Sequence, residues 1–561
     1  MTVDATQRRS RRGWGETRQI ALPPAPSAEE HLDLGALETW LWDAACAVRG
    51  AADAPKFKDF ILPLVFFKRL SDVFDDVFAE KVAEFGDEAF AWEMVREDHE
   101  DAVATGRLTI TGFFIPPEYN WRAIRNHPAD GTLGQFITTA MREVARLNPA
   151  LQGVLDVRDY NERQSGQRTI DDERLAALVE VISRHRLGLK NAEPDILGRA
   201  YEYLLRKFAE GQGQSAGEFY TPYEVAWLMA QLINPRQATE VYDPACGWAG
   251  LLIKTRLVFQ QNHPSDHFPP KLYGQELNPT TFAMAKMNMF LHGITDAHFA
   301  IGDTFLRPGF GAPAGGGGRG SLRRFDYVVA NPMWNQDNYD EAFYENDPYN
   351  RFTFGVPPRS SADWGWVQHI LASLQDSGRA AVVLDTGAVS RGSGSRASNR
   401  ERAIRKAIVE ADLIEGVVLL PDNLFYNTTA PGIILLLNRA KPAERRGEMI
   451  LINASRHFEK RKPKNVLTDD GIAAVVEAYL AWETRPKLSR VVTLAEVRAA
   501  DYNLSPSQFV MVNDRVEHRP LEEILADLAA ARAERERADA ALEEVLAKLG
   551  FTRRNVMTRN A

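Results

Sequence analysis

Short apolar runs alternate with helical stretches from residue 240 to residue 419, and no other feature constrains the fold as much. The runs are Glu240–Tyr242, Lys271–Gly274, His298–Ile301, Phe325–Ala330, Ala380–Leu384 and Ile414–Leu419. Strands that alternate with helices stack into a mostly parallel sheet with helices on both faces. The expected class is α/β, a doubly wound sheet. Ligands of such sheets bind at the carboxyl ends of the strands.

Four strand ends carry suggestive residues. The first runs into Val241-Tyr242-Asp243-Pro244-Ala245-Cys246-Gly247-Trp248-Ala249-Gly250: a strand, an Asp-Pro, a glycine turn, then a helix. Glycines there let backbone approach a ligand closely. The spacing is neither G-x-G-x-x-G nor G-x-x-x-x-G-K-[ST], which disfavours a dinucleotide fold and a nucleoside triphosphate. Glu276 ends the second strand, where a carboxylate can accept both hydroxyls of a ribose. Asp303 ends the third, where a carboxylate can receive an adenine amino group. A surface or capping role is the plainer reading of each acid alone, but three at successive strand ends are harder to dismiss. The fourth strand ends in Asn331-Pro332-Met333-Trp334. The Asn331 side-chain oxygen and the Pro332 carbonyl can each accept one N–H of an exocyclic amine. Trp334 can stack on the ring that bears it, as extruded bases are held. An extruded adenine suits this set, and N4 of cytosine is chemically possible.

The rest of the chain divides by texture. Residues 1–30 read as a disordered basic tail. Residues 31–185 read as a helical domain, with Leu37, Trp40, Leu41, Ala44 and Ala45 on one face at helical spacing. A second stretch from Phe57 to Phe78 repeats the pattern, with Pro63 expected in its first turn. Residues 186–440 hold the alternating sheet pattern, interrupted by Gly315–Gly318, which reads as a plain linker. Residues 441–510 read as an extension of that domain, and residues 511–561 as a helix. Leu521, Leu528, Leu542 and Leu549 fall at heptad position a, with Ile524, Ala531, Ala538 and Val545 at d. That is a short seam of the kind that docks a partner helix, although a helix folded back on its own domain would look the same.

The formal net charge of −9 argues against a stand-alone DNA binder held by a broad basic surface. Two cysteines without a C-x-x-C offer no zinc framework and fit a reducing compartment. The densest apolar run, Ile61–Phe67, is far short of the ~20 residues that span a bilayer. A cytoplasmic location and no membrane partner are expected.

These motifs resemble the γ-class amino-methyltransferases of DNA, and more closely the modification subunit of type I restriction-modification systems. Members place a Gly-x-Phe/Tyr-Phe/Tyr-Thr-Pro segment before the glycine turn, and here it is Gly217-Glu218-Phe219-Tyr220-Thr221-Pro222. The likeness continues through Asn278-Pro279-Thr280-Thr281, Ala285-Lys286-Met287-Asn288 and Leu420-Pro421-Asp422-Asn423-Leu424-Phe425-Tyr426-Asn427. It implies a fold that binds S-adenosylmethionine and transfers its methyl group to N6 of an adenine flipped out of double-stranded DNA. In that scheme Glu218, Phe219, Tyr220, Thr221 and Pro222 cover the cofactor from one side. Asp243 anchors the loop under its methionine part, with Pro244 and Gly247 shaping the turn and Trp248, Ala249 and Gly250 lining it. Glu276 holds the ribose and Asp303 the cofactor adenine. Asn331, Pro332 and Trp334 hold the target adenine, and no metal takes part. Two such subunits would serve one DNA-specificity subunit, and a restriction subunit can join them. Met333 stands where the family usually has a second proline, and Trp248 where it has a small residue. Those departures motivate one alternative, a catalytically impaired scaffold. A methyltransferase acting on cytosine N4 or on protein glutamine is another.

Overall fold

The computed structural model describes residues 32–48, 57–105, 109–192, 221–512 and 521–548, apart from isolated positions and short loops, together with Tyr203. The basic tail, the glycine run and Leu549 lie outside the described residues, as do Glu218, Phe219 and Tyr220.

The N-terminal region is helical: α1 (Leu34–Ala47), α2 (Phe57–Phe85), α3 (Glu88–Thr105), α4 (Leu133–Leu147) and α5 (Asp172–Ile182). The stripe of Leu37, Trp40, Leu41, Ala44 and Ala45 is buried. The Trp40 indole N–H donates to the Val181 carbonyl at 2.7 Å, which ties α1 to α5. Pro63 corrects the sequence reading, because it lies inside α2, beyond its first turn. The backbone bond it forgoes is offset by packing, since Phe60, Ile61, Leu64 and Phe67 around it are all buried.

Nine strands form the central sheet: β1 (Glu240–Asp243), β2 (Lys271–Glu276), β3 (His298–Ile301), β4 (Phe325–Ala330), β5 (Leu374–Asp385), β6 (Ile414–Leu419), β7 (Gly432–Asn438), β8 (Glu448–Asn453) and β9 (Ser489–Thr493). Their spatial order is β9-β8-β6-β7-β5-β4-β1-β2-β3. Strands β3, β2, β1, β4 and β5 run parallel, as do β6 and β8. β7 lies antiparallel between β5 and β6, so β6 and β8 share the direction of β4. β9 closes the edge antiparallel to β8. The six expected strands are present, and β5 starts earlier than expected. The sequence reading did not mark β7, β8 or β9. Every residue of β7 is buried, so it shows no alternation, and no helix separates it from β6.

Alternate residues feed two cores. Val241, Leu272, Val329 and Val383 meet α6 (Tyr223–Ile233) and α7 (Gly250–Asn262) on one face. Tyr242, Tyr273, Val328 and Val382 meet α9 (Asp363–Ala372) and α10 (Arg400–Glu410) on the other. α8 (Pro279–Leu291) joins the sheet to the N-terminal helices. Its Ala283, Met284 and Met287 belong to the same buried cluster as those helices. Phe290 meets Phe113 edge-on at 5.2 Å, and Lys286 donates to the Gln152 carbonyl at 3.1 Å. α11 (Asp469–Ala481) lies against the first face, and α12 (Leu521–Lys548) closes the described chain. On α12 the described seam residues Leu528, Leu542 and Val545 are exposed. No helix among the described residues is long and apolar enough to cross a membrane.

Candidate functional site

The carboxyl ends of β1, β2, β3 and β4 gather on one edge of the sheet, because these strands are parallel neighbours. They bring Asp243, Glu276, Asp303 and Asn331 together as the sequence pattern suggested. The turn after β1 is built for close approach. Gly247 sits at φ +54° with nothing within 4 Å of where a Cβ would stand. Ala249 is held left-handed at φ 69°, a modest strain of the kind found at functional turns.

The three acids brace this edge. Glu276 accepts the backbone N–H groups of Gly247 at 3.0 Å and Asn278 at 2.8 Å, so it orients the glycine turn from the neighbouring strand. Asp303 caps its own turn, accepting the N–H groups of Phe305 at 2.8 Å and Leu306 at 3.0 Å. The Thr304 hydroxyl donates to the Pro244 carbonyl at 2.6 Å, which joins the first loop to the third. Buried Arg351 donates to the carbonyls of Thr304 and Phe305 and pairs with Asp347, fixing the same turn from outside the sheet. Asp243 accepts the Ala245 N–H at 3.0 Å and is fully buried. Burial, reinforced by the negative charge of Glu276, pushes its carboxyl well above the usual range. A carboxylate so placed favours a cationic partner, which would offset its desolvation.

Asn331 is pinned at both ends of its amide. Its Nδ2 donates to the Thr221 hydroxyl at 2.9 Å, and its Oδ1 accepts the Trp334 indole N–H at 3.1 Å. Thr221 thus reaches across to the amide from the start of α6, and Pro222 caps that helix. An amide oxygen has two acceptor positions, and Trp334 uses one. Trp334 is 9% exposed and meets Phe425 edge-on at 4.8 Å. Its ring therefore stands here as a clamp on Asn331, backed by Gly432, where an added Cβ would lie 2.9 Å from the indole.

The Trp248 side chain is packed. It is 8% exposed within the buried cluster shared by α8 and the N-terminal helices. Gly250 makes room for it, since a Cβ there would stand 2.6 Å from the indole.

One group of residues escaped the sequence reading. Asn335, immediately past the Asn-Pro motif, is left-handed at φ 51°. Its backbone N–H donates to Asp363 and its side-chain oxygen accepts from Arg391, both at 2.8 Å. Arg391 also bonds Glu401 through two nitrogens, Asp363 at 2.6 Å and Asp385 at 2.9 Å. Burial pulls its guanidinium down, but Glu401 and Asp363 outweigh that and raise it. Asp385 ends β5, so it was findable as one more acid at a strand end. Nothing local marks Arg391 or Asp363.

Comparison with known proteins agrees with this architecture. The family model for N-6 DNA methylases matches residues 192–518, and that for the HsdM N-terminal domain matches residues 37–182. The MjaVIII methylase subunit of a type I restriction enzyme from Methanocaldococcus jannaschii is 36% identical over 83% of this chain and 77% of its own. The HindI methylase subunit from Haemophilus influenzae is 31% identical over 74% of this chain and 91% of its own. A solved type I restriction-modification methyltransferase subunit from Streptococcus thermophilus superposes with a TM-score of 0.69 at 27% identity, covering 86% of this chain and all of that one. With the site on one edge of a methylase sheet and the helical module in front of it, the chain belongs to the N-6 DNA methylase family, as a modification subunit of the type I restriction-modification kind.

Proposed function

We propose that this subunit transfers the methyl group of S-adenosylmethionine to N6 of an adenine extruded from double-stranded DNA. The observation that supports this reading is the doubly anchored Asn331 amide, one strand away from the glycine turn. The site residues suit an adenosine-bearing cation. Asp243 supplies a buried carboxyl that a neighbouring cation would draw into its charged form, the Gly247 turn leaves backbone room, and Glu276 and Asp303 stand at the next two strand ends. The cofactor, when bound, supplies an activated methyl on a positively charged sulfur.

The chain's own residues then need no strong base. Asn331 Oδ1 and the Pro332 carbonyl accept the two N–H groups of the adenine amine, which turns the nitrogen lone pair toward the methyl; the methylated nitrogen, cationic and acidic, then releases one proton to water. Thr221 and Trp334 keep the amide in that orientation, so little reorganisation accompanies reaction. Stacking of the base on Trp334 requires Phe425 to yield from its edge-on contact. Glu218, Phe219 and Tyr220 would cover the cofactor. DNA target choice would rest with a specificity subunit shared by two copies of this chain and joined in some assemblies by a restriction subunit. The exposed seam of α12 would dock that partner. The reaction takes place in the cytoplasm.

The test is Asn331→Ala in the complex with its specificity subunit. Methyl incorporation into DNA should vanish while calorimetric cofactor affinity stays within a few-fold. Label entering protein instead of DNA would overturn the reading.

A further inference from the structure

The edge that carries Asn331 continues past β5 to the carboxyl ends of β6 and β8, which run in the direction of β4. Beyond β8 the chain forms a hairpin of two short strands, Phe458–Glu459 paired with Val466–Leu467. Residues 456–464 contain Arg456, Lys460, Arg461, Lys462 and Lys464 against one acid, Glu459, in a chain whose formal charge is −9. Arg456, Lys460, Arg461 and Lys462 are exposed. Glu459 engages Arg461 at 2.6 Å, with both side chains more than half exposed. Glu224 on α6 adds its field to Arg461. The positive charge is therefore concentrated on one small projection.

The projection is fastened to the wall of the proposed base site. The Asn465 N–H donates to the Asn423 carbonyl at 3.0 Å, and its side-chain amide to the Asp422 carbonyl at 3.0 Å. Lys464 donates to Asn423 Oδ1 at 3.1 Å and to the Thr428 carbonyl at 3.0 Å. Phe425, in this same loop, meets Trp334, which holds Asn331. Charged tip, loop and amide form one continuous contact path. Four strand spacings separate β4 from β8, about 19 Å along the edge. That equals roughly five or six base-pair rises of duplex, so a basic tip there meets phosphates flanking an extruded nucleotide. The cofactor strands β1, β2 and β3 lie on the opposite side of β4.

We propose that the 458–467 hairpin is a DNA-backbone clamp, in which Lys460, Arg461 and Lys462 bind phosphates beside the extruded base. This rests on the reading of the substrate as DNA. It reconciles an acidic subunit with that substrate, because the grip is local. Phosphate contacts of this kind set register and carry no sequence information.

The experiment measures duplex binding against salt, by fluorescence anisotropy with a labelled genomic-DNA fragment and the complex with its specificity subunit. The variant Lys460→Gln/Arg461→Gln/Lys462→Gln should flatten the slope of log K against log salt by about 2–3, and weaken binding at least about tenfold near 0.1 M salt. Its cofactor affinity should be unchanged, which reports an intact sheet. Glu459→Gln should bind DNA more tightly than the unaltered complex. The control Lys271→Gln/Arg324→Gln removes charge from the amino ends of β2 and β4 and should leave the slope unaltered. An unchanged slope in the triple variant, or an equal loss in the control, overturns the clamp while leaving the DNA reading intact. Failure of the unaltered complex to bind duplex overturns both.

Discussion

Replacing Arg391 by methionine tests how the loop past the target-base motif is held. Met keeps an aliphatic stem and removes the guanidinium that joins Asp363, Asp385, Glu401 and Asn335. The Asp363 side chain is 0% exposed and that of Glu401 is 5%, so both would be left buried with their charge uncompensated. Breaking a buried pair costs ~3–5 kcal/mol. Arg391 itself is 28% exposed, which places the expectation at the lower end, ~3 kcal/mol. In a sheet domain of this size that lowers Tm by on the order of 5 °C or more. The pH dependence has a definite sign. Burial already raises the Asp363 carboxyl, opposed by the Asn335 N–H and by Arg391. The folded state then holds this proton more tightly than the unfolded chain, so stability falls as pH rises from the unfolded value through the folded one. Removing Arg391 raises the folded value further and deepens that fall. Below about pH 4, where both states are protonated, the deficit closes. The assay is thermal unfolding of the variant and the parent between pH 5 and 8, with Arg391→Met/Asp363→Asn as a partner variant that recovers part of the loss. A deficit under ~1 kcal/mol, or one that does not narrow as the pH falls, would refute the assignment of Arg391 as the brace of Asn335.

The remaining expectations are shorter. Trp334→Phe keeps a ring but removes the donor to Asn331, so kcat should fall about threefold to tenfold, or ~1 kcal/mol, with cofactor affinity unchanged; an unaffected kcat would show that the indole bond is not used. Trp248→Ala should cost ~3 kcal/mol and loosen the N-terminal helices from α8, seen as faster limited proteolysis between them. Because burial raises the Asp243 carboxyl above the usual range, affinity for a cationic cofactor should rise with pH, and Asp243→Asn should remove that rise; calorimetry in which the variant keeps the parent's pH dependence would separate Asp243 from the cation.

What local sequence determined here is the repeating strand-helix unit and the identity of the strand ends. Each of β1 to β4 closes on or just before an Asp, Glu or Asn, and a parallel sheet must place such ends on one edge. Sequence reading therefore put Asp243, Glu276, Asp303 and Asn331 at one edge from pattern alone. It placed Pro63 too near the start of its helix, because a helix start is weakly signalled when packing, not propensity, stabilises the first turns. It missed β7 because a strand buried on both faces has no alternation to read. Contacts between distant segments required the folded chain. Thr221 meeting Asn331 and Arg391 meeting Asp363 span 110 and 28 residues, separations that no local pattern encodes. Trp248 makes the same point. Its neighbours along the chain suggest a cofactor loop, and only the tertiary structure brings its ring into one buried cluster with the N-terminal helices, where a large apolar side chain gains free energy by leaving water.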